Sequence, residues 1–360
     1  MDYDQKLISA CLRFARRHRG LTGTNPSVGT LLVKFEDGHL RMVGRGVTAI
    51  GGRPHAERVA IDMAGAEAEG ATAYVTLEPC AHHASTPPCA QALIDAGVKR
   101  VVTAWIDPDV RVDGKGHGML RSAGVEVETE INSDVASRDL SAYLSRKSRG
   151  RPHVVLKLAV SADGWLGIRG QEAIITGELA RNYGQRMRAE SDAILVGMGT
   201  VDADDPSLTC RLPGLADRSP RRYVLDPTAR MRADRLLATT ARDVPTHIVT
   251  ARDHLPDDLA KSGVVRLPAE LVDGELAIAE VLEDMAATGV SSLMVEGGAK
   301  VAESFLAAGL VDEIALFTSR NSLESGDIRS PLTPDTIPEG FALHRELSLG
   351  EDRLFQYFKD

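Results

Sequence analysis

The sequence predicts an α/β protein of two domains, and three observations carry that expectation. Short apolar runs such as Ala73–Leu77, Asp192–Gly197 and Ser292–Glu296 alternate with stretches in which apolar residues recur at helical spacing, the pattern of a sheet covered by helices. The chain has 360 residues, enough for two cores. A basic, polar segment from Ser145 to Arg151, closed by Pro152, interrupts the pattern. It divides the chain into a domain over residues 1–145, a linker over 146–152 and a domain over 153–360.

In chain order, Leu7, Ile8, Cys11, Leu12 and Ala15 line one face of a helix over residues 4–18, which makes Cys11 a core residue rather than a ligand. Asn25-Pro26-Ser27-Val28-Gly29 turns into a strand from Thr30 to Phe35. Asp37-Gly38 is a hairpin turn, and Leu40 to Val47 returns. A helix starting near Pro54 follows, with Ala56, Val59, Ala60 and Met63 as its buried stripe. Then come the 73–77 strand, a helix from Cys89 to Ala96 stopped by Gly97, and a strand from Arg100 to Trp105. Gly114 to Gly118 reads as a loop, Leu120 to Gly124 as a helix end, and Val125 to Glu128 as a short strand. The second half starts with the strand His153–Val160. A helix over Gly177–Glu190 leads into the strand Asp192–Gly197. Tyr223–Asp226, Thr246–Thr250 and Val264–Leu267 continue the strands; residues 275–288 form a helix, and Ser292–Glu296 enters Gly297-Gly298 and a helix from Ala299 to Ala308. Such runs imply an open, mostly parallel sheet.

Composition is ordinary for a globular protein, 43% hydrophobic and 26% charged, and no apolar run approaches a membrane span. The acidic start Met1-Asp2-Tyr3-Asp4 does not resemble a signal peptide. Net charge is −9, which disfavours a nucleic-acid partner and favours a small-molecule substrate. Four cysteines fit a reducing cytoplasm.

The chemistry of the first half lies in Pro54-His55-Ala56-Glu57, Glu78-Pro79-Cys80 and Pro87-Pro88-Cys89. Either cysteine alone reads equally well as core or as half of a disulfide. Together with His55 they form a three-ligand zinc set that leaves a fourth position for water, the catalytic arrangement. Glu57, two residues after the histidine, is the proton carrier of the H-x-E…P-C signature of zinc deaminases. On a helix from Pro54, residues 55 and 57 would point ~200° apart, one to metal and one to substrate. A helix start at Cys89 would favour its thiolate. In the second half, Gly297-Gly298 before a helix is a phosphate cradle, weak alone. With the Gly197–Gly199 turn it suggests a dinucleotide bridging two adjacent strand ends.

The chain resembles the bifunctional riboflavin-biosynthesis deaminase–reductases of bacteria over roughly residues 4–320. In the first half the likeness rests on Asn25–Gly29, Pro54–Glu57, Tyr74–Cys80, His82-His83 and Thr86–Cys89. In the second it rests on Lys157-Leu158, Ser161–Gly164, Ser191–Gly197, Gly199–Val201, Ala203–Pro206, Leu208–Arg211 and Val295–Gly298. The resemblance implies a cytidine-deaminase-like αβα sandwich followed by a dihydrofolate-reductase-like domain. It implies zinc held by His55, Cys80 and Cys89, proton transfer by Glu57, and Asn25, His82 and His83 beside the deaminase substrate. It implies NADPH contacted by Ala159, Thr200, Asp204 and the turn Gly298, Ala299, Lys300, Val301, Ala302, Glu303, Ser304. Arg188, Leu208, Arg211 and Glu296 would contact the reductase substrate, the two arginines suiting its phosphate. Lys300 or Arg222 would read a 2′-phosphate, and such domains often pair, so a homo-dimer or tetramer is expected. The chain departs from the family pattern at Ser85 (usually basic), at Asp109-Val110 (usually Asn-Pro), and at Glu172 and Ile174 (usually Ser and Trp). Two other readings share the zinc motif. One is a deaminase of another nucleobase, nucleoside or tRNA with a non-reducing second half. The other is a structural zinc closed by His82 or His83.

Overall fold

The computed structural model describes residues 3–82, 87–169 and 173–359. The chain forms two compact units, residues 1–150 and 151–360. In the first, helix α1 (Tyr3–Ala15) precedes the hairpin β1 (Gly29–Glu36) and β2 (His39–Val47). Helix α2 (Ala56–Ala64), strand β3 (Thr72–Val75), helix α3 (Cys89–Asp95) and strand β4 (Arg100–Thr103) follow. Helix α4 (Lys115–Ser122), strand β5 (Glu126–Glu128) and helices α5 (Ser133–Asp139) and α6 (Ser141–Ser148) complete the unit. The sheet order is β2-β1-β3-β4-β5, antiparallel across β2-β1-β3 and parallel from β3 to β5. One apolar cluster including Ile8, Leu12, Leu32, Tyr74, Val101 and Leu120 packs the sheet against its helices.

The buried stripe of α2 is Ala56, Ala60 and Ala64, while Met63 is 57% exposed, which corrects the sequence reading. The reason is close approach. A Cβ on Gly46 would come within 2.0 Å of the Ala56 carbonyl oxygen, and one on Gly44 within 2.3 Å of that of Ala60. Small residues on both partners fix which face of α2 is buried. The stretch read as a loop at Gly114–Gly118 is the start of α4, and residues 146–148 of the expected linker are the last turn of α6.

In the second unit, β6 (His153–Val160) and β7 (Trp165–Gly167) precede α7 (Glu178–Ala189), β8 (Ala193–Gly197) and α8 (Met198–Asp204). Next come β9 (Arg221–Leu225), α9 (Leu236–Thr239), β10 (Thr246–Thr250), α10 (Asp257–Ser262) and β11 (Val265–Pro268). A small ribbon, β12 (Leu271–Val272) and β13 (Glu275–Leu276), leads to α11 (Ile278–Ala287), β14 (Ser292–Val295) and α12 (Ala299–Ala307). The unit ends with β15 (Glu313–Thr318), β16 (Ile328–Arg329), β17 (Phe341–Leu349) and β18 (Asp352–Lys359). Nine strands form one sheet in the order β11-β10-β9-β8-β14-β6-β15-β18-β17. It is parallel except at its end, where β18 pairs antiparallel with β15 and β17 antiparallel with β18. The sequence reading of a mostly parallel sheet stopped short of this C-terminal hairpin. It also took α8 for part of a turn.

The topology has a functional consequence. From β8 the chain crosses over to β9 on one side; from β14 it crosses to β15 on the other. Since β8 and β14 are neighbours, the crevice at their carboxyl ends is a topological switch point, where open α/β sheets bind ligands.

Candidate active sites

In the first unit, His55 is the N-cap of α2, in extended backbone conformation (φ −70°, ψ 158°), and Glu57 lies in the helix's first turn. The divergence of the two side chains therefore comes from the break at the helix start, not from the turn of a helix containing both. Cys80 lies in the segment after β3, and Cys89 is the first residue of α3, after Pro88. His55 Nδ1 lies 3.8 Å from Cys80 Sγ and 3.3 Å from Cys89 Sγ. The three ligand atoms all lie within 4.8 Å of one another, and among the described residues no further His, Cys, Asp or Glu joins them. The set fits a zinc ion with one position left open. His82 is not part of the cluster, so it does not close the site as a fourth ligand.

The two thiols are not equivalent. The backbone N–H of Cys89, at the start of α3, donates to Cys80 Sγ at 3.3 Å. The helix start thus stabilises a thiolate on Cys80, where the sequence reading placed that benefit on Cys89 itself. The hydrogen bond from the Cys89 side chain, with His55 nearby, draws the Cys80 thiol down to about 4. Sharing that hydrogen bond, together with burial, pushes Cys89 up. Glu57 is 4% exposed, and burial pushes its carboxyl up to about 7.

These groups open onto a cavity of about 410 Å³, within the usual range for small-molecule sites. Asn25 and His82, expected from the sequence to meet substrate, line the same cavity. His82 Nδ1 is buried without a hydrogen-bond partner among the described residues. His83 and Ser85 lie outside the described residues. Asp107, Arg111, Tyr143 and Lys147, which sequence reasoning did not assign to the site, also line the cavity, together with Glu78 and Asp109. Glu78 accepts hydrogen bonds from the backbone N–H groups of Asp107, Gly114, Gly116 and His117 and so ties the loop after β4 to the zinc-binding turn. The Glu78-Pro79-Cys80 motif carried that signal, since a buried carboxylate beside a ligand must find donors.

In the second unit, Gly197 is the N-cap of α8 and Gly298 the N-cap of α12, at the ends of adjacent strands β8 and β14. A Cβ on Gly297 would lie 2.5 Å from Val301 Cβ, and one on Gly197 2.7 Å from Val301 Cγ2. Both strand ends therefore approach the first turn of α12 only because they lack side chains, the construction of an anion cradle. Thr200 flanks it, 3.9 Å from where a Gly298 Cβ would be. Ala302 is fully buried in the core and can offer only backbone to a cofactor. Lys300 pairs at 3.7 Å with Glu275 and has an exposed side chain. Arg222 is fully buried and donates to the carbonyls of Ser207, Thr240 and Val244, so it cannot read a 2′-phosphate, contrary to the sequence expectation.

Glu296 follows β14 and receives a bidentate pair from Arg188 on α7, both contacts 2.8 Å, with Lys157 Nζ at 3.7 Å. Burial would raise this carboxyl, but Arg188 and Lys157 outweigh it and hold it down at about 2. Arg188 also donates to the Thr209 carbonyl. Its fork is therefore engaged within the protein. Arg211, exposed and bonded to Ser207 Oγ at 2.9 Å, is the arginine presented to solvent. Leu208 is buried with φ +53°. Ile174 is 70% exposed, and Glu172 lies outside the described residues.

Residues 1–105 match the cytidine and deoxycytidylate deaminase zinc-binding region, and residues 152–319 match the RibD C-terminal domain. The chain is 34% identical to the riboflavin biosynthesis protein RibD of Aquifex aeolicus, over 99% of each chain. It is 36% identical to that of Escherichia coli, over 89% of each. Among solved structures, Acinetobacter baumannii RibD superposes with a TM-score of 0.85 at 33% identity, over 99% of each chain. A Thermotoga maritima diaminohydroxyphosphoribosylaminopyrimidine deaminase/5-amino-6-(5-phosphoribosylamino)uracil reductase does so with a TM-score of 0.86 at 29% identity, over 99% of each. The cofactors are zinc in the deaminase domain and NADPH in the reductase domain. With likeness over nearly its full length and both domains matched, the chain belongs to the family of bifunctional riboflavin-biosynthesis deaminase–reductases.

Proposed function

We propose that residues 1–145 hydrolytically deaminate 2,5-diamino-6-(5-phosphoribosylamino)pyrimidin-4-one and that residues 153–360 reduce the ribosyl group of the product to ribityl. The observation that carries the first step is the His55–Cys80–Cys89 triad beside buried Glu57 in one cavity. Zinc, when bound, lowers the pKa of a water towards ~7 and so makes hydroxide available at neutral pH. Glu57 accepts one proton of the attacking water and gives it to the ring nitrogen, then carries the remaining hydroxyl proton to the departing amine. The carbon–nitrogen bond to the exocyclic amine breaks, a carbonyl forms, and ammonia leaves. Asn25 and His82 orient the pyrimidine from the cavity wall. The buried Nδ1 of His82 has no hydrogen-bond partner among the described residues and is available to a ligand.

In the reductase, NADPH supplies the hydride that converts the ring-opened ribosyl group. Ala159, Thr200, Asp204 and the turn from Gly298 to Ser304 would hold the cofactor, and the helix N-termini at Gly197 and Gly298 would favour its negative charge. Glu296, fixed by Arg188 and Lys157, presents a charged, immobile acceptor to the substrate, and Leu208 shapes the wall beside it. Arg211 takes the substrate phosphate, because its guanidinium is exposed whereas that of Arg188 is mostly buried and held by both Glu296 and the Thr209 carbonyl. The enzyme works as a cytoplasmic homo-oligomer, a dimer or tetramer. Its four free cysteines support the first part. The largely exposed edge strand β17, with backbone groups open to pairing, supports the second. A nucleic-acid substrate finds no support in a chain of net charge −9.

The test is substrate-dependent NADPH oxidation by the zinc-loaded enzyme, followed by the absorbance of the reduced nicotinamide, with ammonia measured in parallel. NADPH loss that requires the diaminopyrimidinone phosphate establishes both steps, because reduction follows deamination. Ammonia without NADPH loss would overturn the reductase assignment alone.

A further inference from the structure

The lining of the deaminase cavity includes four cations, Arg53, Arg111, Arg146 and Lys147, in a chain whose net charge is −9. They come from three separate segments: the residues before α2, the loop after β4, and the last turn of α6. The same cavity holds the carboxylates Glu57, Glu78, Asp107 and Asp109, so the charge that faces a ligand depends on how each is engaged. Glu78 is held by four backbone N–H groups. Asp107 accepts from the Tyr143 hydroxyl at 2.9 and 3.1 Å and from the Asp109 backbone N–H at 2.9 Å. Asp109, with a side chain only 5% exposed, takes Arg111 at 2.9 and 2.6 Å and Lys147 at 2.7 Å. One buried carboxylate thus pins two cations and can neutralise only one. The side chains of Arg111 and Lys147 remain 58% and 27% exposed. Cations and carboxylates balance in number across the cavity, but the carboxylates Glu78, Asp107 and Asp109 are buried and hydrogen-bonded, while Arg111 and Lys147 stay part-exposed. A planar guanidinium beside an ammonium on a concave wall is the chemistry that grips a phosphate monoester.

We propose that Arg111 and Lys147, positioned by Asp109, form the subsite for the 5-phosphate of the deaminase substrate. This rests on the deaminase reading above and names the part of the site that discriminates phosphorylated from dephosphorylated substrate. The pyrimidine lies towards Glu57 and the zinc ligands, and the ribosyl chain spans the cavity to the basic wall. Asp109 keeps both cations in place before substrate arrives, so less side-chain freedom is lost on binding.

Calorimetry with the zinc-loaded full chain carrying Arg211→Ala, which removes the reductase phosphate contact proposed above, and ribose 5-phosphate as probe tests the subsite independently of turnover; this chain is the reference for the variants below. The reference chain binds ribose 5-phosphate and does not measurably bind ribose. Arg111→Ala and Lys147→Ala each weaken ribose 5-phosphate binding about tenfold or more, as expected for removal of a charge-assisted contact. Lys147→Arg, which keeps the charge and the Asp109 pair, stays within about threefold of the reference. Unchanged affinity in both alanine variants, or equal binding of ribose, overturns the proposal. Ammonia release from the diaminopyrimidinone phosphate separately tests the deaminase reading. Its absence in wild type, with ribose 5-phosphate still bound through Arg111 and Lys147, would sink that reading and leave the phosphate site standing.

Discussion

Replacing Arg188 with Met tests the buried cluster at the end of β14. Glu296 sits beside two cations, and its depressed pKa measures how much they favour its ionised form. A fall from 4.5 to about 2 corresponds to about 3 kcal/mol. Removing one partner of a buried pair typically costs ~3–5 kcal/mol, and Lys157 at 3.7 Å remains to soften the loss. Arg188→Met should therefore destabilise the second unit by about 3 kcal/mol at pH 7. The pH dependence fixes the cause. Because the folded pKa of Glu296 lies below its unfolded value, its stabilisation is complete above about pH 4.5 and is lost as pH falls through about 2. In the variant, burial leaves Glu296 inclined to protonate instead. The gap between wild type and variant should shrink to about 1 kcal/mol at pH 3. Denaturant unfolding of the full chain at both pH values measures this, the relevant transition being the one that NADPH shifts. A gap below 1 kcal/mol at pH 7, or one that does not narrow at pH 3, would refute the assignment of Arg188 as the main counter-charge.

Three further outcomes follow from the same geometry. Glu57→Gln should keep zinc bound at wild-type stoichiometry, read by metal analysis, while ammonia release falls about 10²–10⁴-fold, the range for loss of a general acid–base; surviving activity would remove Glu57 from the mechanism. Cys80→Ala should lose zinc, since it removes one of only three ligands in the cluster, while NADPH still binds residues 151–360 in a fluorescence titration. Gly297→Ala forces a Cβ to 2.5 Å from Val301 Cβ. It should weaken NADPH binding and cost about 1–3 kcal/mol, and the double variant Gly297→Ala/Val301→Ala should recover part of both.

What the sequence made legible and what it did not divide along physical lines. The zinc ligands and Glu57 were readable because their chemistry demands fixed residue types at short spacing, and a motif of that kind survives without knowledge of the fold. The strands β6, β8 and β14 were readable because a strand buried on both faces is a continuous apolar run. Met63 was misplaced because helical periodicity does not say which neighbour packs closest; the glycines of β2 decided that, from residues 44 and 46. Arg222 was a candidate for a 2′-phosphate because nothing local shows that five hydrogen bonds, to Ser207, Leu237, Thr240 and Val244, will bury it. The basic wall of Arg111 and Lys147 escaped for a related reason. The two lie far apart in sequence and meet only through Asp109.

The thiol pair shows the same limit at the scale of one hydrogen bond. From sequence, a cysteine at a helix start should hold the thiolate, because the helix's unpaired N–H groups favour negative charge. The rule is right about the donor and wrong about its recipient. The N–H at the start of α3 belongs to Cys89, but a residue's own side chain is poorly placed to accept from its own amide, and the sulfur that receives it is that of Cys80, brought over by the turn after β3. The helix at Cys89 therefore prepares the other ligand for metal. The Pro87-Pro88-Cys89 motif and the Glu78-Pro79-Cys80 motif act as one unit, each supplying what the other's cysteine lacks. For that reason, a helix-breaking change at Ala90 should impair zinc binding through Cys80 as much as through Cys89.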